Sequence, residues 1–380
     1  MALSSITLTA APTVARYAVK LGTYEMFSLG IFSLTMICVM TEKENMSKGI
    51  GSGLIGVALG FVGMAPMDSV KRLTFGIYEL DGGFNILSML IGIFVVSEII
   101  LTSEARKTAK EGIVQNFNIR GFGFSMKEFI AQLPNAVRSA LIGLGIGILP
   151  GIGGGTSNIL AYTVAKGASK YPEKFGTGIL DGVVASETAN NATIGGALVP
   201  LLTLGIPGDT ATAMLIGGFM IHGITPGPML LTNQKELVYA IFASLLISNF
   251  LMLGIEFFGL RAFVRLLKIP KHILMPIILV MCAVGAFCLN NRIFDVKCVA
   301  FFGIGGYLLT KVKIPLTPII LGFILGTMIE TNFRRGLQYA GGNGLPFITR
   351  PISALFLLLA MFVLIATLVR YKRKVSKITA

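Results

Sequence analysis

The chain has 380 residues, of which 54% are hydrophobic and 13% charged, with 46 glycines and a mean hydropathy of +0.79. That composition describes an all-α, polytopic membrane protein and leaves no stretch for a soluble domain of useful size. The formal charge of +14 sits in short loops between apolar runs, where Lys and Arg orient a membrane chain, so it does not indicate nucleic acid as a partner.

The first 20 residues, MALSSITLTAAPTVARYAVK, hold an apolar stretch without an early basic region and read as the tail of a span, not as a signal peptide. Apolar stretches follow at 26–41, 49–65, 84–101, 190–222, 237–260, 273–290, 297–312, 315–329 and 350–370. These make about nine spans. Several run to only about 15 residues, which implies a thin or deformed bilayer, or boundaries drawn too tightly. The pairs Gly49 and Gly53, and Gly56 and Gly60, at i,i+4 are helix-packing surfaces. Cys38, Cys282, Cys288 and Cys298 lie in or beside spans without C-x-x-C spacing and read as small core residues, not as zinc ligands or a disulfide framework.

Charge sets the orientation. Arg370, Lys372, Arg373, Lys374 and Lys377 place the C-terminal tail in the cytoplasm. Counting spans backward puts Arg261, Arg265, Lys268 and Lys271 on that side, together with the basic 102–128 loop. Arg334 and Arg335 land outside, an exception.

The segment from about 130 to 165 is flanked by bases at both ends, the 102–128 loop and then Lys166, Lys170 and Lys174. Both ends therefore belong on one side, which makes the segment a re-entrant hairpin. Its tip is Pro150-Gly151-Ile152-Gly153-Gly154-Gly155-Thr156-Ser157-Asn158, because Pro stops a helix and successive glycines turn freely. The second arm is expected to start near Thr156 or Ser157, as N-caps, with its free N–H groups forming an anion site.

A second break, Gly205-Ile206-Pro207-Gly208-Asp209-Thr210, divides the 190–222 span into a discontinuous helix, with Asp209 placed to cap its second half. Non-helical backbone at bilayer depth is tolerated only where protein buries it or a cavity wets it, and transporters hold ligands at such breaks. Just upstream, Glu187-Thr188-Ala189-Asn190-Asn191-Ala192-Thr193 supplies amide and hydroxyl oxygens of the kind a hard cation accepts. Each feature has a bland reading beside it: glycine packing for the tip, interhelical hydrogen bonding for Asn190 and Asn191, a purely structural cap for Asp209, and a surface turn for His222. Enzyme chemistry finds no support, since G-x-S-x-G is absent, and no G-x-x-x-x-G-K-[ST] points to nucleotide-driven transport.

At these residues the chain resembles the large permease subunit of the tripartite tricarboxylate transporters. The resemblance rests on PGIGGG at 150–155, AYTVAK at 161–166, SKYPEKFGTG at 169–178, ETANNA at 187–192, GGALVPLLTLGIPGD at 195–209 and HGITPGP at 222–228, with a weaker continuation in RLTFGIYELDGG at 72–83 and LIGIFVVSE at 90–98. It implies a secondary transporter of the bacterial inner membrane taking up citrate or another carboxylate, coupled to sodium or protons and needing no other cofactor. The implied partners are a small four-helix membrane subunit and a periplasmic solute-binding protein that delivers substrate. Carboxylate oxygens are then expected at Gly153, Gly154, Gly155, Thr156, Ser157 and Asn158 and at Pro207, Gly208, Asp209 and Thr210, with Asn190 and Asn191 contributing. Sodium, where used, is expected at Asn190, Asn191 and Asp209.

Family members are built as two related halves, the first with its own glycine-rich break. By that resemblance residues 1–128 are the remainder of a first half and its cytoplasmic connection, and residues 129–380 the second transport repeat. A separate polypeptide is then expected to supply the first half's contribution. The competing expectation is a non-transporting remnant, or one part of a split permease, acting only as a membrane scaffold.

Overall fold

The computed structural model describes residues 20–41, 46–105, 125–150, 153–266, 269 and 271–379. It is almost wholly helical. In chain order the longer helices are α1 (Thr23–Thr41), α2 (Met46–Gly60), α3 (Ile86–Leu90 continuing through a π-helical stretch, Ile91–Val96, into Ser97–Ala105), α4 (Met126–Ile148), α5 (Gly153–Ala168), α6 (Leu180–Leu204), α7 (Thr210–Ile221), α8 (Lys235–Leu266), α9 (Lys271–Asn290), α10 (Ile293–Lys311), α11 (Thr317–Tyr339) and α12 (Pro351–Thr379). A two-stranded antiparallel ribbon, β1 (Gly63–Met64) and β2 (Lys71–Arg72), pairs Gly63 with Arg72 and Met64 with Lys71.

Among the described residues six helices are long and apolar enough to cross a membrane: Ile86–Glu104, Lys127–Ile148, Lys235–Gly259, Ile273–Asn290, Ile293–Lys311 and Pro351–Val369. Thr23–Val39 and Thr210–Ile221 are shorter apolar helices. This is the architecture of a multi-pass, all-α membrane protein; each expected stretch overlaps a helix, the one at 49–65 only as far as Gly60, and six described helices of spanning length stand against about nine expected spans. The expected basic loop lies mostly in residues 106–124, outside the described residues, as do Gly151 and Ile152 of the tip.

Small residues set the packing. α2 and α11 run side by side in parallel: a Cβ on Gly56 would collide with the Ile319 backbone, one on Gly60 would meet the Phe323 carbonyl oxygen, and one on Gly322 the Gly53 carbonyl oxygen. Gly53, Gly56 and Gly60 thus form the packing surface that their spacing indicates. α1 lies against α11, with Tyr24 Oη donating to the Gly336 carbonyl at 3.1 Å, and Ser353 of α12 donating to the Tyr24 carbonyl. The largest buried cluster joins α1, α3, α7, α10 and α11 through residues such as Ile37, Met89, Ala213, Phe302 and Leu325.

Two boundaries differ from the sequence reading. The stretch expected at 315–329 is the 23-residue α11, because Glu330 and Arg334, which end the apolar run, are neutralised in place. Arg72 forms a pair with Glu330 at 2.5 Å, and Arg334 pairs with Glu330 at 2.8 Å and with Asp68 at 3.0 Å. The same contacts account for Arg334 as an exception to the charge rule, since its charge is matched locally. The span expected at 190–222 begins earlier, at Leu180, because Asp181, Asn190 and Thr193 meet the neighbouring helices, while Glu187 and Asn191 stay exposed.

Candidate functional site

α4 opens on a capping box: Ser125 Oγ accepts from Glu128 N, and the Glu128 carboxylate accepts from Ser125 N at 2.7 Å. Seven residues on, Gln132 donates to Asp181 Oδ1 at 2.5 Å, and Ser169, just past the end of α5, donates to Asp181 Oδ2 at 2.8 Å. One carboxylate at the start of α6 therefore holds the entrance of α4 and the exit of α5 together. The segment leaves and returns at one end, as a helical hairpin.

α4 runs parallel to α6 with almost nothing between them. A Cβ on Gly143 would lie 2.3 Å from the Ala189 carbonyl oxygen, and one on Gly147 would lie 2.3 Å from that of Thr193. α5 returns antiparallel. Gly154 meets Asn190, whose Oδ1 stands 2.7 Å from where a Cβ would be, and Ser157 Oγ lies 2.5 Å from Thr193 Oγ1. The Gly154 carbonyl is within reach of Ser157 Oγ and that of Ala189 within reach of Thr193 Oγ1, so with one proton each, one hydroxyl donates to its carbonyl and the other across the pair.

The second break folds back onto this hairpin. Pro200 sits inside α6, and Gly205 ends the helix in the left-handed region at φ 73°, its N–H reaching the Leu201 carbonyl while Ile206 N reaches that of Pro200. That is a left-handed glycine closure of the αL kind, which a side chain at Gly205 would strain. Ile206, Pro207 and Gly208 are buried. A Cβ on Gly208 would lie 3.0 Å from the Gly147 carbonyl oxygen and 2.7 Å from Ala197 Cβ. Asp209 caps α7: its Oδ1 accepts from Thr212 N at 2.8 Å and from Thr212 Oγ1 at 2.7 Å. Thr210 Oγ1 lies 3.3 Å from Thr317 Oγ1, at the start of α11.

Asn190, Thr193 and Ala197 lie at i, i+3 and i+7, one face of α6. Along it are ranged the start of α5, the end of α4 and the start of α7. Helix N-termini offer N–H groups and a partial positive charge to an anion, and the C-terminal end of α4 offers carbonyls to a cation. Asn190 and Ala197 are seven residues apart, about 10 Å along the axis, so this is an elongated seam and not a single cage.

The structure therefore brings Gly154, Ser157, Asn190 and Gly208 to one seam; Asp209 and Thr210 follow Gly208 in the chain, with their side chains on Thr212 and Thr317. Gly153 starts α5, Thr156 is half-buried and Gly155 exposed, with nothing near the place of its Cβ. Asn158 is half-buried, and its Oδ1 is buried without a partner among the described residues. Asn191 points elsewhere: it is exposed and donates to the Glu187 carbonyl, because one helix step turns it away from Asn190. Thr156 and Ser157 are not N-caps, since α5 begins at Gly153 and Ser157 Oγ is taken up by Thr193 and Gly154. Among the described residues no three or more His, Cys, Asp or Glu side chains gather as a metal cluster. Gly147, Asp181, Thr212 and Thr317 join the site without having been expected from sequence. Only Thr212 carried a signal, three residues after a capping Asp. Cavities of about 360 Å³ and about 780 Å³ lie elsewhere, around Ser97 and Lys313 and between α3, α7, α9 and α11.

The model of the tripartite tricarboxylate transporter TctA family matches residues 2–321. The chain is 34% identical over 370 residues to an Agrobacterium vitis protein described as an uncharacterized 52.8 kDa protein in the TAR-I ttuC' 3'region, covering 97% of this chain and 73% of that one. It is 38% identical over 231 residues to an uncharacterized protein in the TAR-II ttuC' 3'region of the same organism, covering 60% of this chain and 96% of that one. No solved structure matches the chain.

Proposed function

The chain belongs to the tripartite tricarboxylate transporter TctA family, and on that premise we propose that it carries citrate or a related carboxylate across the bacterial inner membrane, coupled to sodium or protons. The family is one of transporters, not enzymes, and its large subunit works with a binding protein and a small membrane subunit. In this reading the chain is that large subunit, its C-terminus is cytoplasmic, and the α4–α5 hairpin enters from the cytoplasmic side. Residues 129–380 act as one transport repeat, and residues 1–128 with any further polypeptide contribute the other.

The observation that carries the reading is the seam where the α5 start, Asn190 and the Asp209-capped start of α7 meet the end of α4. A carboxylate has N–H groups from two helix starts and the amide of Asn190 within one polar strip. The α4 carbonyls and Asp209 supply oxygens for a cation beside it. Asn191, turned away, takes part only after a rotation of α6.

Equilibrium binding of labelled citrate to the purified chain, with and without sodium, tests this. The expected result is sodium-dependent binding that weakens in Asn190→Ala and stays in Asn191→Ala. A folded chain that binds neither citrate nor other small carboxylates, alone or with its partner subunits, supports the scaffold reading instead.

A further inference from the structure

Arg138 lies well inside α4, among Leu133, Pro134, Val137, Leu141 and Ile142, which line an open groove of about 750 Å³. Its Nη2 donates to Asn135 Oδ1 at 2.9 Å, but its Nε is buried without a partner, and it enters no ion pair among the described residues. The acids of the facing helix do not neutralise it. Asp181 is committed to Gln132 and Ser169, and Glu187 is exposed.

Ser139 Oγ and Asn158 Oδ1, on the two arms of the same hairpin, are also buried without partners among the described residues. Counted from the tip, they differ in level by about four residues, roughly 6 Å. Buried polar atoms left unpaired are costly and mark a place that water, an ion or a ligand fills. An uncompensated guanidinium within an apolar helix is costlier still, and its planar fork matches a carboxylate.

We propose that Arg138 is a second carboxylate-binding residue, a station on the hairpin separate from the tip. This rests on the reading of the chain as a carboxylate transporter. Arg138 is nine residues from Gly147, about 13 Å along α4, too far for one small carboxylate to touch both places at once. The anion reaches Arg138 before or after it occupies the tip. Asn135 holds the guanidinium in position.

Cysteine placed at Val137, exposed beside Arg138, in a chain whose four native cysteines are replaced by Ser, reports on the station. Labelling rates with sulfonatoethyl methanethiosulfonate and its trimethylammonium counterpart are compared with Arg138 present and in Arg138→Gln, while citrate binding is followed in parallel by dialysis. The anionic reagent is expected to react faster by roughly fivefold or more only when Arg138 is present, and citrate to slow it only then. Equal rates in the two proteins, or a thiol that neither reagent reaches, overturn the station. Protection by phosphatidylglycerol vesicles but not by citrate also overturns it, while citrate binding in dialysis leaves the proposed function standing. An anionic preference that succinate slows, with no citrate binding anywhere, supports the station and removes citrate from the proposed function.

Discussion

Ser157 and Thr193 face each other across the α5–α6 contact with their hydroxyl oxygens 2.5 Å apart, and both side chains are buried. Each hydroxyl also lies within reach of a carbonyl of its own helix, and since each has one proton, one of them donates to its carbonyl while the other donates across the contact. The pair fixes the register between the glycine-rich start of α5 and the face of α6 that carries Asn190. Ser157→Ala leaves Thr193 its Ala189 carbonyl, so the loss is expected to be about 1 kcal/mol of stability. Ser157→Val, which adds bulk where Thr193 stands, is expected to cost about 1–3 kcal/mol. Thermal unfolding in detergent measures both, and an unchanged midpoint for the valine variant would contradict the packing described.

Two neighbouring glycines of the tip separate local packing from ligand recognition. A methyl at Gly155 meets nothing within 4 Å, whereas one at Gly154 meets Asn190 Oδ1 at 2.7 Å. Alanine favours a helix over glycine by roughly 0.5–1 kcal/mol, so neither change is expected to unfold α5. Gly154→Ala displaces the Asn190 amide and is expected to weaken carboxylate binding roughly tenfold, about 1.4 kcal/mol. Gly155→Ala is expected to bind as the parent does, and equal losses in both variants would remove Asn190 from the site.

Asp209 has two separable properties, its cap and its charge. Asn caps a helix about as well as Asp, and Ala costs about 1 kcal/mol. Asp209→Asn is therefore expected to keep the stability of α7 while lowering the sodium response of citrate binding at least about tenfold. Should the asparagine variant respond to sodium as the parent does, Asp209 is a structural cap alone.

The breaks were legible in the sequence because Pro and Gly restrict or free the backbone wherever they stand: Gly205, Pro207 and the Pro150 turn fall where the helices end. The cap at Asp209 was legible for the same local reason. What was not legible is which residues meet across helices. Asn190 and Asn191 are equivalent in composition, and only the i, i+3, i+7 face shared with Thr193 and Ala197 separates them. Gly147 and Gly196 looked like any membrane glycines until α4 and α6 were seen in parallel contact. Thr317 arrives from 107 positions beyond Thr210, a pairing that no local pattern encodes.

Glu330 holds the ribbon between α2 and α3 to the end of α11. Its side chain is 9% exposed and that of Arg72 22%; Arg72 makes two hydrogen bonds to it, and Arg334 joins from the next turn. Arg72 Nε is buried without a hydrogen-bond partner among the described residues, and the guanidinium also lies over the Phe61 ring at 5.4 Å, so Glu330 is the carboxylate that neutralises it. Removing a single member of a buried pair leaves the other charge stranded, which costs more than the pair contributes. Glu330→Ala is expected to destabilise the ribbon by about 2–4 kcal/mol, less than a fully buried pair because Arg334 can still reach Asp68. Protease cleavage after Lys71 or Arg72 in the folded protein reads this directly. Faster cleavage in Glu330→Ala, with Arg72→Met and Glu330→Ala together restoring much of the protection, is the expected pattern, because the double variant leaves no charge unpaired. Equal cleavage of parent and Glu330→Ala would mean that the ribbon is held by its apolar contacts and its own turn, not by the ion pair.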